Sequence, residues 1–264
     1  MSDARKVLVT GAAGRIGAAI VGAFASLGDR VVATDLDSDK LTAKVGPLAG
    51  QSGPIITLPA DIADEREVER LVATAIETLG QIDILVNCAG IFPNTPVVEM
   101  GTAEWDLVYN VNLRAPFMLS RAVARQMLAH DLRGAIVNIS SGAGSSARTG
   151  GSHYCGSKAA LEMLTQVLAI ELGPRGIRVN AVAPGLIMDE VLQPPVPSGT
   201  SPYVATLLDG IPLRRTGRPE DIADAVIFLC SEQATWITGS IFGVNGGSQA
   251  GRTHLPPSTQ RKQQ

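Results

Sequence analysis

The chain is predicted to be α/β: a doubly wound parallel sheet flanked by helices on both faces, in a single domain. Three observations lead there. Short, continuous apolar runs recur along the 264 residues, helix-length amphipathic stretches separate them, and the first run opens into a glycine-rich turn. A strand apolar on both faces must be covered on both faces. Helices placed between such strands supply the crossovers that parallel pairing needs. The apolar share of 45% and charged share of 18% suit a globular chain with a sizeable core.

Taken in order, Lys6–Thr10 (KVLVT) is the first strand, and a helical pattern follows its turn through Leu27. Arg30–Thr34, Ile55–Leu58, Ile82–Val86, Ala135–Ile139, Arg178–Ala181 and Ile241–Val244 read as further strands. Between them lie helical stretches at Asp64–Leu79, Thr102–His130, Ser152–Leu172 and Pro219–Cys230. Gln193–Ser201 (QPPVPSGTS) is a loop by composition, within a substrate loop expected over about 187–215. The domain is expected to run over residues 1–247, and the polar stretch 248–264 is expected to fray as a tail. No second domain and no internal repeat are expected.

Composition also narrows the function. Net charge is −3 and no basic run interleaves with aromatics, so nucleic acid is not an expected partner. Cys88, Cys155 and Cys230 are too few and scattered for a disulfide framework or a zinc site, and no metal is expected. Neither a signal peptide nor an apolar stretch of ~18 residues is evident, so a cytoplasmic protein away from membranes is expected.

The first turn reads Thr10-Gly11-Ala12-Ala13-Gly14-Arg15-Ile16-Gly17. Its glycines let the backbone approach a pyrophosphate, whose charge the following helix N-terminus favours. Joining the first strand to the first helix, it stands where a Rossmann-type fold binds a dinucleotide. Asp35 ends the second strand. A carboxylate there accepts hydrogen bonds from the adenosine ribose and repels a 2′-phosphate, which favours NAD over NADP; the alternative is an N-cap for the next helix.

Chemistry is expected around Tyr154-Cys155-Gly156-Ser157-Lys158. Tyr154 and Lys158, at i and i+4, share a helix face. A free phenol with a pKa near ~10 is a poor base at neutral pH. A neighbouring ammonium that lowered it by ~2–3 units would supply roughly 3–4 kcal/mol and a tuned acid/base group. Ser141 lies thirteen positions before Tyr154. His153 adjoins Tyr154 but points ~100° away on a helix. Arg148 could meet a substrate carboxylate or phosphate, or stay solvated. Cys88 and Cys155 read as small core residues rather than nucleophiles.

Together the glycine turn, Asn87-Cys88-Ala89-Gly90, Asn112, Ser141, Tyr154, Lys158, Pro184-Gly185 and the closing Asn245-Gly246-Gly247 resemble the short-chain dehydrogenase/reductase family, in its single-domain branch of about 250 residues. The resemblance extends from Lys6 to about Gly247. It implies an oxidoreductase moving hydride between NAD and a secondary alcohol or ketone, with Tyr154 as general acid/base. Lys158 would lower the tyrosine's pKa and bind the nicotinamide ribose, and Ser141 would position the substrate oxygen. Asn112 would kink its helix and hold a water. The same resemblance places Gly11, Gly14, Arg15, Ile16 and Gly17 at the pyrophosphate, and Asp35 at the ribose. Asp61 and Ile62 would lie at the adenine, Asn87, Ala89 and Gly90 along the cofactor's floor, and Pro184, Gly185 and Ile187 against the nicotinamide. It also implies a homo-oligomer, dimer or tetramer, through Thr102–His130 and Ser152–Leu172.

Two positions depart from the family pattern. Arg15 stands at the usual second glycine of the turn, and Asp189 where P-G-x-I-x-T would place a threonine. Polyols, sugar derivatives, hydroxysteroids and hydroxy acids are the expected substrates. An NADPH-dependent ketoreductase resembling 3-oxoacyl-acyl-carrier-protein reductase, and a non-catalytic dinucleotide sensor or scaffold, are the alternatives.

Overall fold

Alternation within each strand divides the core into two layers. In the computed structural model, which describes residues 4–48, 50 and 52–251, β1 (Lys6–Thr10) turns Val7 and Val9 to one face of the sheet and Leu8 to the other. Two strands, β2 (Arg30–Thr34) and β5 (Ala135–Ile139), divide in the same way: Val31, Ala33, Val137 and Ile139 join the first layer, Val32 and Ile136 the second. Helices α1 (Arg15–Ser26), α2 (Ser38–Val45) and α8 (Pro219–Leu229) close the first layer with Ile20, Phe24, Leu41 and Val226. On the second, α3 (Glu65–Leu79), α5 (Ala115–Ala129) and α6 (Ser152–Leu172) contribute Leu71, Leu119, Met127 and Leu172.

The remaining strands are β3 (Ile55–Thr57), β4 (Ile84–Asn87), β6 (Arg178–Pro184) and β7 (Ile241–Val244). All seven strands are parallel, in the order β3-β2-β1-β4-β5-β6-β7. Chain direction across the sheet reverses between β1 and β4. Beyond the carboxyl ends of those two strands a crevice opens, and in open α/β sheets such a switch point is where ligands bind.

Several elements differ from the sequence expectation. The strand expected over Ile82–Val86 is Ile84–Asn87, and β6 continues to Pro184 because it pairs with β7 through Pro184↔Val244. The stretch Thr102–His130 is not one helix. It divides into α4 (Thr102–Tyr109), a π-helical segment Asn110–Arg114, and α5. Such segments are rare, single-turn insertions that widen a helix locally. Helix α2 was not expected; Asp37 caps it, accepting hydrogen bonds from the amides of Asp39 and Lys40. Nor was α7 (Pro202–Asp209), a short helix within the substrate loop. Residues 248–251, read as the start of a fraying tail, are engaged: the Gln249 amide nitrogen donates to the Gly142 carbonyl at 2.9 Å and to the Ser145 hydroxyl at 2.6 Å. The rest of the expected tail lies outside the described residues. Among the described residues no helix is long and apolar enough to cross a membrane.

Candidate active site

Close backbone approach shapes the first wall of the crevice. Gly11 adopts φ +67°, and a Cβ there would lie 2.6 Å from the backbone of Ala89; one on Gly17 would lie 2.1 Å from the Gly11 carbonyl oxygen. Only glycine permits this turn to pack against both α1 and the loop after β4. That loop is tied back to β1 by the Thr10 hydroxyl, which accepts from the amides of Cys88 at 3.1 Å and Ala89 at 3.2 Å. Helix α1 begins at Arg15 after Gly14, with no capping side chain and no acidic residue in its first turn. Its amide dipoles therefore face the crevice as a site suited to an anion.

Asp35 follows β2, beside the glycine turn. Its carboxylate accepts from the amide of Ala13 at 3.0 Å and of Leu36 at 2.8 Å, so it braces the glycine turn; the N-cap alternative falls to Asp37. Asp61 accepts from the amide of Ala63 at 2.9 Å, Ile62 is buried, and the Ala60 amide donates to the Asp35 carbonyl. These contacts gather Asp35, Asp61 and Ile62 beside the turn. Asn87 differs: its side chain is buried, its amide donating to Asn138 at 2.8 Å and Ser120 at 3.2 Å, beneath the crevice rather than into it.

Opposite the turn, the sequence brings Asn112, Ser141, Tyr154 and Lys158 to the ends of β4 and β5. Asn112 is fully buried in the π-helical segment and clamps the loop after Gly90, accepting from the Ile91 amide at 2.9 Å and donating to its carbonyl at 2.8 Å. Its amide also reaches the Ser157 hydroxyl at 3.2 Å. A Cβ on Gly90 would fall 3.3 Å from the Asn112 side-chain oxygen and 3.5 Å from Lys158 Nζ, so the absent side chain leaves a cradle facing both. Ser141 Oγ accepts from the Ala143 amide at 3.1 Å, which fixes the loop after β5. Pro184 ends β6, Gly185 follows it, and Ile187 bridges to Gly217.

The electrostatics correct one sequence expectation. Lys158 Nζ does not turn to the phenol; it donates to the Ile139 carbonyl at 2.8 Å and lies 5.9 Å from the Tyr154 ring centre. Burial pushes the lysine down from 10.5 to about 8, with Cys88 and Glu162 opposing. Burial also raises the Tyr154 phenol above its usual value, while a hydrogen bond with Ser141 and the charge of Arg148 pull it back. Arg148, read as substrate-facing or solvated, lies over the Tyr154 ring, its guanidinium 4.9 Å from the ring centre. Phe92 meets the same ring edge-on at 6.2 Å.

His153 braces the site without entering it. The ring is fully buried, Nδ1 accepts from the Tyr154 amide at 2.9 Å, and Nε2 lies 3.0 Å from Glu104. Two residues escaped the sequence reading. Glu162 accepts from the Ser140 hydroxyl at 2.7 Å, and Gln249 straps the loop 142–145. The signal for Glu162 was its i+4 spacing from Lys158; for Gln249 there was none, since the loop residues it straps are over a hundred positions away. The Cys88 thiol is pushed up to about 12 by burial, which suits a packing role.

The fold and crevice define a class: a dinucleotide-binding, doubly wound α/β protein. The comparisons narrow it. Residues 11–249 match the family model described as enoyl-(acyl carrier protein) reductase. The chain is 36% identical over 245 residues to a 3-oxoacyl-[acyl-carrier-protein] reductase of Thermotoga maritima, covering 93% of this chain and 98% of that one. To human L-xylulose reductase it is 39% identical over 244 residues, with 92% and 96% covered. A solved short-chain type dehydrogenase/reductase from Mycobacterium marinum superposes with a TM-score of 0.85 at 32% identity, covering 94% of this chain and 96% of that chain. The chain belongs to the short-chain dehydrogenase/reductase family of NAD(P)-dependent oxidoreductases, acting on alcohols and ketones.

Proposed function

We propose that the chain interconverts a secondary alcohol and its ketone with NAD(H) as the preferred coenzyme, and that Asn112, Ser141, Tyr154 and Lys158 form its catalytic group. The single observation that carries the site is the convergence of a buried lysine, a half-buried tyrosine and a glycine cradle at one end of the crevice. The residues fit a dinucleotide: an uncapped helix N-terminus for the diphosphate, Asp35 for the adenosine ribose, and the Gly90 cradle beside Lys158. When bound, the nicotinamide supplies or accepts the hydride.

In this reading Tyr154 is protonated at neutral pH, because burial raises its pKa, and donates that proton to the carbonyl oxygen during reduction. Ser141 orients the same oxygen. Lys158, near its midpoint at about pH 8, supplies positive charge as the phenol gives up its proton. Asn112 holds the Gly90–Ile91 backbone so that the cradle keeps its shape. Arg148 holds the tyrosine ring from the substrate side and links to Tyr203 of α7 at 3.5 Å, which joins the substrate loop to the catalytic tyrosine. The substrate is a polyol, sugar derivative, hydroxysteroid or hydroxy acid; the similarity to L-xylulose reductase favours the first two. The similarity to a 3-oxoacyl-[acyl-carrier-protein] reductase keeps an NADPH-dependent ketoreductase as the second reading.

Asp35→Ala separates the two. A charge-assisted hydrogen bond to the ribose contributes about 1.5–3 kcal/mol, so kcat/KM with NAD should fall roughly 10- to 100-fold while that with NADP rises. Wild-type turnover, followed by nicotinamide absorbance over a panel of polyols, sugars, hydroxysteroids and hydroxy acids, names the substrate class. A wild-type preference for NADP that Asp35→Ala leaves unchanged would overturn the NAD reading.

The assembly proposed is a dimer or tetramer in the cytoplasm. Leu107 of α4, Phe117 of α5, and Met163, Val167 and Ile170 of α6 leave apolar side chains uncovered, Ile170 being 77% exposed. Sedimentation at micromolar concentration should find a dimer or larger, and Ile170→Lys should shift the population towards monomer. A monomeric wild type would sink this part of the reading.

A further inference from the structure

The two positions at which this chain departs from its family's motifs meet in space. Arg15 is the first residue of α1, and its side chain leaves the glycine turn towards the loop after β6. There Nε lies 3.3 Å from the Asp189 carboxylate and Nη1 3.5 Å from the Ile187 carbonyl. Each partner sits on a firmly held base. The turn is wedged between Gly17 and Ala89 at distances no side chain would tolerate. The loop is stapled by the Met188 amide to the Gly217 carbonyl at 2.9 Å, by the Gly217 amide to Leu186 at 2.9 Å, and by reciprocal bonds between Leu192 and Thr216. Ile187 also packs against the core layer that α1 and α8 close. The pair therefore joins two rigid rims.

Those rims belong to opposite ends of the crevice. In the sheet, β1 and β6 are separated by β4 and β5, three strand spacings of ~4.8 Å. A dinucleotide running from Asp35, past the α1 N-terminus, to the Gly90 cradle beside Lys158 has to pass between the glycine turn and the Gly185–Asp189 loop. Both charged side chains are more than half exposed, 53% for Arg15 and 62% for Asp189, so the ion pair lies on the outer, solvent side of that path. Each partner explains the other. An arginine at the head of a helix is disfavoured by the helix dipole, and an acidic partner offsets it.

We infer that Arg15 and Asp189 form a clasp across the mouth of the crevice, holding the coenzyme's diphosphate beneath it, so that coenzyme release requires the pair to open. Arg15 faces the diphosphate and Asp189 at once; the carboxylate positions the guanidinium and ties the substrate loop to the coenzyme. This rests on the dinucleotide-binding reading and adds to it a control on coenzyme residence.

The test is the dissociation rate of NADH or NADPH, whichever binds more tightly, by stopped-flow fluorescence in wild type, Arg15→Gln, Asp189→Asn and the double variant. Equilibrium binding of AMP, which carries one of the two phosphates and none of the nicotinamide half, is measured alongside. Exposed ion pairs contribute ~0.2–1 kcal/mol, so each single variant should release the coenzyme about two- to fivefold faster. The double variant should be no faster than the faster single, AMP affinity should be unchanged in Asp189→Asn, and high salt should speed release from wild type more than from Asp189→Asn. Release that is unchanged or slower in Asp189→Asn overturns the clasp, because an arginine acting on the diphosphate alone is freed when its carboxylate partner is lost. If wild type binds neither reduced coenzyme, the dinucleotide reading itself fails and takes the clasp with it. Coenzyme binding with the same release rate in all four proteins defeats the clasp alone.

Discussion

Tyr154→Phe should lower kcat by about 10²- to 10⁴-fold with coenzyme affinity nearly unchanged. The substitution removes one oxygen and keeps the ring that Phe92 meets edge-on and Arg148 covers, so packing survives and the proton route is lost. The pH profile carries the sharper information. Because burial lifts the phenol above its usual value, alcohol oxidation, which needs the phenolate, should accelerate as pH rises through and beyond neutrality. Ketone reduction, which needs the phenol, should hold steady through neutrality and fall only at high pH. Both limbs should disappear in Tyr154→Phe. A variant that retains wild-type turnover and its pH dependence would remove Tyr154 from the catalytic role. Arg148→Gln supplies an internal control: it takes away charge that holds the phenol down, so the rising limb of oxidation should move to higher pH.

Lys158→Met should do two things at once, lowering kcat by about 10²- to 10³-fold and making the protein more stable. The lysine is only 4% exposed, and burial takes its pKa from 10.5 to about 8, about 2.5 units, or roughly 3 kcal/mol of penalty on the charged form. The hydrogen bond to the Ile139 carbonyl recovers on the order of 1 kcal/mol and is lost in the variant. A net gain of about 2 kcal/mol would raise Tm by roughly 4–8 °C. The pH dependence of this term follows from proton binding. The unfolded chain holds the proton up to about 10.5 and the native chain releases it near 8. Below about 8 the penalty is therefore complete, and between the two values the unfolded state binds more protons, so stability rises with pH. That rise should be present in wild type and missing from Lys158→Met when unfolding is followed by denaturant titration across the window. A variant less stable than wild type at pH 7 would mean that the buried ammonium is better compensated than its contacts indicate. The lysine is thus a residue whose placement opposes stability and serves the site.

How much could be read in advance depended on the range of the contact. The glycine turn, Asp35 and the strand–helix alternation were legible because each is local: apolar runs, φ-permissive residues and their spacing are properties of a few neighbours. The break at Asn110–Arg114 was not, because a single π-helical turn shifts the register by one residue, too small an offset to stand out in a long helical stretch. The Tyr154–Lys158 pairing shows the limit most clearly. Spacing at i and i+4 put both on one helix face, and the structure agrees. Spacing could not report the Ile139 carbonyl at the end of β5, to which the ammonium donates while lying 5.9 Å from the Tyr154 ring centre.

The sequence by itself determined the layered α/β architecture, the place of the crevice and the identities of the groups around it, because these follow from patterning and from backbone freedom at glycine. Tertiary structure alone decided which charge faces which: Arg148 over Tyr154, Glu162 on Ser140, Gln249 across to Gly142, and Arg15 against Asp189. A hydrogen bond needs its partners within ~3.5 Å and a close ion pair within ~4 Å, and residues 172 or 174 positions apart reach that range only when the sheet brings its strand ends together.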